Sequence, residues 1–466
     1  MRWICLCICW LNIVGVWAQG DLVFIERITM EGNQRTRDEI ILRELKFQEG
    51  DTVSIGQLDR LLEESEQLVM NTGLFNSANI TIKNWRGADN HVHFHLVLAE
   101  TWYIYPVPIF ELADRNFNVW WVEQNHSLQR INFGIEFTHL NFSGQKDRLK
   151  LTAKYGYTRS YSMNYTLPFI NKSQTIGIDA NVSFARNREI NYASIDNKQS
   201  FYKDEESKFL YQRFQAQTAL TYRPGFHLFH DLEFGFRQNW IDPIVAEELN
   251  PDFFLNGRKL QRALTLTYRF AYDRRDVRAY PLKGSHFTAE LQKTGLGFYG
   301  DQDALTLNAY YNLYHPFSEK WSSGLRLGSK LSFIRKRQPF NDYKALGYNQ
   351  NNLYGYEYYI VNGMDMGIGR AFLRYRILQK NWEFGKIVPI KAFRKMPIKV
   401  YLSLNQGAGY VNDPYTKDLN PFANRFLWGG GLGLDIVLYY DKVLQIQYSY
   451  NHLWEKGVFL HFSANI

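Results

Sequence analysis

The sequence predicts a mainly β protein: a 16-stranded antiparallel transmembrane β-barrel preceded by one small α+β domain. Three observations carry this. Aromatic residues make up 16% of the chain, yet its mean hydropathy is negative. From residue 103 onward apolar residues recur at every second position, and helical periodicity is almost absent. No segment beyond the N-terminal leader approaches the roughly eighteen consecutive apolar residues of a membrane helix. Strands with one face in lipid and one in water reconcile the three, because their hydropathy averages out.

Residues 1–18 read as a secretory signal peptide. Arg2 supplies a positive charge, Trp3 to Trp17 is mostly apolar, and Val16-Trp17-Ala18 offers small-residue cleavage before Gln19. Cys5, Cys7 and Cys9 all lie inside this segment, which leaves no disulfide framework or thiolate metal site in the mature chain. The net charge of +8 is modest and does not point to nucleic acid.

Residues 21–102 follow a different pattern. Leu22 to Met30 alternates as a strand, and Glu31-Gly32-Asn33 turns. Thr36 with Glu39 reads as a capping box opening a helix over Arg37–Leu45. Gly50-Asp51 breaks the chain, Ser54 opens a second helix to about Asn71, and Gly73 closes it. Strands Ala78–Trp85 and His91–Leu98 complete one sheet with two helices on one face.

Residues 103–466 carry the barrel. Leu264, Leu266, Tyr268, Phe270 and Tyr272 share one face of a strand, as do Leu305, Leu307, Ala309, Tyr311 and Leu313 of another. Sixteen such runs begin near residues 103, 130, 147, 160, 174, 209, 227, 261, 284, 302, 320, 368, 397, 425, 442 and 457. That leaves roughly 23 residues per strand and connection, which suits membrane strands. An even count lets the last strand meet the first. Connections near 188–208, 241–260 and 334–366 are long enough for external loops.

Four motifs in this order resemble the BamA-like outer-membrane assembly and secretion family, whose members join periplasmic POTRA domains to a 16-stranded barrel. Gly32, Asn33, Thr36, Gly50, Gly73 and Phe75 resemble a single POTRA signature. Asp273, Arg275 and Asp276 with Pro281 and Gly284 resemble a barrel hairpin of the family. Leu353-Tyr354-Gly355-Tyr356 sits where the inward loop carries its Arg-Gly pair, and Gly457, Leu460 and Phe462 match a last-strand insertion signal. The resemblance implies a Gram-negative outer membrane location with the POTRA domain in the periplasm. It also implies unfolded or nascent outer-membrane or secreted polypeptides as partners, together with outer-membrane lipid, the core barrel-assembly machinery and lipoproteins.

The departures concern the loop. Tyr354 replaces the family's arginine, while Phe372 and Asn405 replace the acidic residues it meets. Losing the arginine alone would strand carboxylates in the lumen at a cost of several kcal/mol; losing all three removes that penalty. A neutral contact among Tyr354, Phe372 and Asn405 is therefore expected to dock the loop. Arg370, Arg374 and Arg376 share a strand face and are expected to line the lumen.

Other patterns read as structural. His91, His93 and His95 splay along one strand and are taken as a solvated or edge-strand face rather than a zinc site. The run Gly429–Gly431 with Gly433 lacks the Lys-Ser/Thr of a phosphate loop and reads as close strand packing or a barrel bend. No catalytic motif and no cofactor motif is found, so an enzyme is not expected. An assembly or translocation factor is expected, an accessory or specialised member that receives client polypeptides through its POTRA domain and supports their insertion or export. The alternative is a passive channel or a scaffold subunit.

Overall fold

The computed structural model describes residues 22–464, except 87–89, 172, 205, 207, 349, 384–394, 417–418 and 439–441. The signal-peptide reading over 1–18 lies outside the described residues, as does most of the turn before His91. The chain forms two units, one running to Tyr103 and including Leu140–Lys146, the other holding Ile104–His139 and the chain from Asp147 on.

In the first unit, alternation in β1 (Leu22–Glu31) turns Val23 and Ile25 inward, where both are fully buried. After α1 (Asp38–Leu42), a short β2 (Thr52–Ser54) leads into α2 (Ile55–Asn71), then β3 (Phe75–Arg86) and β4 (His91–Glu100). The sheet order is β2-β1-β4-β3, with β1 and β4 parallel. Leu58, Leu62 and Val69 of α2 pack with Phe47, Phe94 and Leu96 in one core. Gly73 ends α2 at φ +74°, a conformation that favours glycine.

Two expectations fail here. The capping box does not form: Arg37 occupies the N-cap without a side-chain bond, and the helix covers only Asp38–Leu42. Thr36 is buried instead, its hydroxyl donating to Glu100 Oε1 at 2.6 Å and accepting from Asn141 Nδ2 at 2.8 Å. The histidine strand is not an edge either, since β4 lies between β1 and β3 and His95 is buried. His93 Nε2 meets Glu26 at 2.9 Å and His95 Nδ1 meets Thr29 Oγ1 at 2.8 Å, which satisfies the rings locally.

The second unit is one 16-stranded antiparallel sheet. It begins with β5 (Ile104–Leu112), β6 (Ile131–Leu140), β7 (Arg148–Gly156), β8 (Thr158–Leu167) and β9 (Ile176–Asn187). A separate hairpin of β10 (Glu189–Ile195) and β11 (Lys198–Lys203) fills the connection read as a plain loop. The sheet continues with β12 (Tyr211–Tyr222), β13 (Leu228–Ile241), β14 (Leu260–Asp273), β15 (Gly284–Thr294), β16 (Ala304–Pro316) and β17 (Trp321–Ser332). The long loop 333–364 holds β18 (Lys344–Leu346) and β19 (Val361–Asn362). Last come β20 (Asp365–Glu383), β21 (Lys395–Asn412), β22 (Phe426–Val437), β23 (Lys442–Asn451) and β24 (Lys456–Ala464).

Register explains the surface. Leu232, Tyr268 and Leu291 are directly paired across β13, β14 and β15, and all three are exposed. Their neighbours Glu233, Thr267 and Gln292 face inward. An apolar belt outside and polar residues inside is the arrangement a lipid-facing barrel requires. The long loops all leave the end opposite to the start of β5 and the end of β24.

Candidate functional site

The loop 333–364 is docked on the inside of the barrel. Leu353, Tyr356 and Ile360 are essentially buried, and Leu353 and Tyr356 join Met366, Val411, Phe422 and Leu427 in one apolar cluster. Glycines make the approach possible. A Cβ at Gly407 would stand 2.7 Å from Leu353 Cδ1, and one at Gly429 would collide with the Tyr354 carbonyl oxygen. Gly355, at φ +80°, lies against the backbone of Tyr450. The glycines of β21 and β22 thus form the wall against which the loop tip rests.

The anchor is Tyr356, and this corrects the expectation placed on Tyr354. The Tyr356 ring stacks on His452 with centroids 5.8 Å apart and meets Phe422 edge-on. Its hydroxyl hydrogen-bonds His452 Nδ1 and lies 3.3 Å from the Trp428 carbonyl. Burial pushes the phenol up to about 12, and burial together with Arg425 lowers the His452 imidazole below its ordinary value. Tyr354, Phe372 and Asn405 line one cavity of about 150 Å³ and do not form the expected lock. Asn405 Nδ2 donates to Ser403 Oγ at 3.1 Å, and the Phe372 ring lies between the Arg374 and Arg326 guanidinium groups at 4.1 and 5.3 Å. The two cations draw the ring to themselves.

Backbone capture completes the docking. Arg115, just after β5, donates to the carbonyls of Gly347, Tyr358 and Tyr359 at 2.9–3.2 Å. Burial lowers the Arg115 guanidinium without removing its charge. Asn116 Nδ2 reaches Glu357 O at 2.8 Å, and Asn451 Nδ2 reaches Gly355 O at 3.1 Å. Asn197, at the β10–β11 turn, exchanges two bonds with Ile360: Ile360 N donates to Asn197 O at 2.7 Å and Asn197 Nδ2 to Ile360 O at 2.9 Å. Arg370 Nη2 holds Gln350 O at 3.0 Å. None of Arg115, Asn116 or Asn197 was singled out from the sequence.

The segment after β5 that carries Arg115 and Asn116 also reaches the seam of the barrel. β24 and β5 stand at the two ends of the strand order. Asn118 Nδ2 donates to Val458 O at 2.7 Å, and Leu460 N donates to Asn118 Oδ1 at 2.9 Å. A side-chain amide therefore occupies two backbone groups of the last strand. Gly457 leaves room for Phe459, whose buried ring meets Tyr358 of the docked loop at 5.3 Å. Leu460 is half-buried, and Phe462 is exposed on the outer face.

The β14–β15 turn closes a second polar cluster. Asp273 pairs with Arg275 at 2.8 Å, Asp276 Oδ1 accepts from Val277 N and Leu282 N, and Gly284 at φ +103° passes against the Arg274 carbonyl. This places Tyr280 inside, its hydroxyl donating to Asp435 Oδ2 at 2.6 Å. Arg374 Nη1 donates to Pro281 O at 3.1 Å, stands 3.6 Å from Asp435 and covers the Tyr280 ring at 3.9 Å. Arg376 is half-buried on the same face, next to a shift in register with β21. Arg269, between Glu233 and Glu290 at 2.8 and 2.7 Å, shows the same balance of lumen charge.

Comparison with known proteins gives two family matches. Residues 23–100 match the POTRA model, described as a surface antigen variable number repeat, and residues 141–377 match the Omp85 superfamily domain. No curated protein matches the sequence. Among solved structures, BamA from Haemophilus ducreyi lacking POTRA domains 1–3 is similar at 15% identity and a TM-score of 0.67, covering 94% of this chain and 83% of that one. CdiB from Acinetobacter baumannii aligns at 15% identity with a TM-score of 0.48, over 95% of this chain and 73% of that one. CdiB from Escherichia coli aligns at 9% and 0.49, over 96% and 90%.

Proposed function

This chain belongs to the Omp85 superfamily, and we propose on that premise that it is an outer-membrane protein assembly or translocation factor, a specialised one that opens its barrel at the seam between β5 and β24. The observation that carries the reading is that seam. Neighbouring strands elsewhere with a described register are tied by ladders of seven to eighteen paired residues, as in β7–β8 and β20–β21. At the seam, the bonds that Asn118 makes to Val458 and Leu460 come from a side chain. Each such bond contributes about 1 kcal/mol net, so the two bonds described at this junction are worth less than any of those ladders.

Two further features support a conduit for polypeptides over a steady pore. The docked loop is held from β5's following segment, from β20 and from β23 at once, which obstructs the lumen. The POTRA sheet ends on β3, whose Ile82 and Trp85 are exposed, and an extended chain can add to such an edge. In this reading the POTRA unit lies in the periplasm and receives clients there. Nascent barrel strands need this help because unpaired backbone groups cannot enter lipid.

The test is the outer-membrane and secreted proteome of cells lacking this chain, compared with complemented cells. A defined subset of outer-membrane or secreted proteins should fall severalfold and return on complementation. Unchanged amounts of all of them, with steady conductance of the purified barrel in planar bilayers, would replace this reading with a passive channel.

A further inference from the structure

We propose that Arg159, Arg186 and Arg188 form a site on the lipid-facing rim of the barrel for the phosphate of an anionic lipid in the outer leaflet. This goes beyond the assembly reading and shares with it only the orientation of the barrel. It applies equally to a passive channel.

Strand parity puts the first two arginines on the outer face. On β9 the outward residues run Ile178, Ala180, Val182 and Phe184, and Arg186 comes next in that series. On β8, Arg159 shares its face with Tyr161 and Met163, and these two are exposed, as is Val182. Arg159 lies directly opposite Arg186, just as Tyr161 lies opposite Phe184 and Met163 opposite Val182. The other parity turns inward, where the Asn187 amide bonds Thr158 and Arg213. Both arginines stand at the end of the barrel that carries the long loops, since β8 starts there and β9 finishes there. The apolar belt thus ends in Tyr161 and Phe184 and passes straight into two cations, at the level where lipid headgroups begin.

Phe209, in the connection before β12, gathers the cluster. The guanidinium carbons of Arg186, Arg188 and Arg159 stand 3.9, 5.1 and 5.3 Å from the centre of its ring. The ring attracts each cation, but three like charges around one ring repel each other, and a like pair directly opposite on neighbouring strands is unfavourable. Among the described residues no carboxylate stands within ion-pair distance of any of the three, and no side chain or carbonyl accepts from their guanidinium groups. The Nε atoms of Arg186 and Arg188 are shielded from solvent and lack an acceptor. Glu206, on the same connection as Phe209, is engaged by Lys208. Other cations at this end of the barrel are matched: Arg258 and Arg262 share Asp301, and Lys293 and Lys336 share Asp303. A phosphate supplies what this cluster lacks, because its oxygens carry negative charge and accept from guanidinium forks two at a time. A lipid phosphate is favoured over a free one. Acyl chains attached to it lie along Met163, Val182 and Ile178, which adds apolar contact to the ionic one.

The experiment measures lipid binding to the full-length protein in neutral detergent by native mass spectrometry. The probes are lipid A (an acylated glucosamine disaccharide with two phosphates), the same lipid with both phosphates removed, and inorganic phosphate as competitor. Retention of lipid A by the parent protein is expected, with the dephosphorylated lipid roughly tenfold weaker or more. Arg186→Gln should weaken lipid A by roughly tenfold or more, the worth of one hydrogen bond to a charged group. The triple variant Arg159→Gln/Arg186→Gln/Arg188→Gln should bring it down to the dephosphorylated lipid. Lys208→Gln removes a nearby exposed cation already paired with Glu206 and should change nothing. Heat-modifiable mobility checks that each variant is folded. Arg188→Gln lies outside the strands, so its own severalfold loss carries the test if the triple variant does not fold. Equal binding of lipid A to the parent and to the folded arginine variants would overturn the proposal, as would equal binding of the two lipids to the parent. Displacement of lipid A by an equimolar amount of inorganic phosphate would overturn the lipid assignment in favour of free phosphate. None of these results bears on the assembly reading, which the proteome of deleted cells tests separately.

Discussion

Tyr356→Ala is expected to undock the 333–364 loop, and its effect should exceed that of any other substitution in the loop tip. The ring is 1% exposed and touches His452 and Phe422, and its hydroxyl is bonded to His452. Truncating a buried aromatic of this kind costs roughly 3–5 kcal/mol. Protease cleavage within the loop follows the population of the undocked form, so the cleavage rate should rise about a hundredfold or more, at tenfold per 1.4 kcal/mol. Tyr356→Phe should lose only about 1 kcal/mol, and Tyr354→Ala should change less than Tyr356→Ala, because Tyr354 is half-buried at a cavity. The same assay has a pH signature. His452 is lowered from 6.5 in the docked state, so docking favours the neutral imidazole. Protection should be complete above about pH 6.5 and should weaken as the pH falls below it. Protection of the loop in Tyr356→Ala equal to that of the parent would show that the arginine and asparagine contacts alone hold it.

Arg374→Ala should be the most damaging single change in the barrel wall. Arg374 is 4% exposed and Asp435 1%, so removing the cation strands a buried carboxylate that retains Tyr280 and Ser403 as its partners. Breaking a buried pair from one side costs about 3–5 kcal/mol. The midpoint of heat-modifiable mobility should fall by many degrees. The double variant Arg374→Met/Asp435→Asn should recover most of the loss, because a neutral pair carries no desolvation penalty. A double variant as weak as the single one would mean that the Pro281 carbonyl contact and the ring packing, and not the charge, hold this mouth of the barrel.

Much of the fold is legible in the sequence, for a physical reason. A membrane strand must alternate along its whole length, so its pattern is local. The strands starting at Ile104, Ile131, Arg148, Gly284 and Lys442 begin within one residue of where alternation places them, and β20 differs by three. Hairpin β10–β11 escapes because it packs on other loop residues, such as Ile360, and is not a two-faced membrane strand that must alternate. The capping box fails because Thr36 has a stronger partner in Glu100, distant in sequence. The loop tip is legible as a site, through its glycine and its place between strands, yet the choice between Tyr354 and Tyr356 depends on His452. Asn118 meets residues some 340 positions away, and no local pattern can reveal that.

The most direct measurement closes the seam covalently. Native cysteines all precede residue 10, so Asn118→Cys with Val458→Cys gives the barrel a single thiol pair, at positions in contact. A short bismaleimide joins them in growing cells. Seam opening predicts that the joined barrel loses the same outer-membrane or secreted proteins as the deletion, while each single cysteine treated alike does not. A joined barrel that restores the full proteome would show that polypeptides do not pass between β5 and β24.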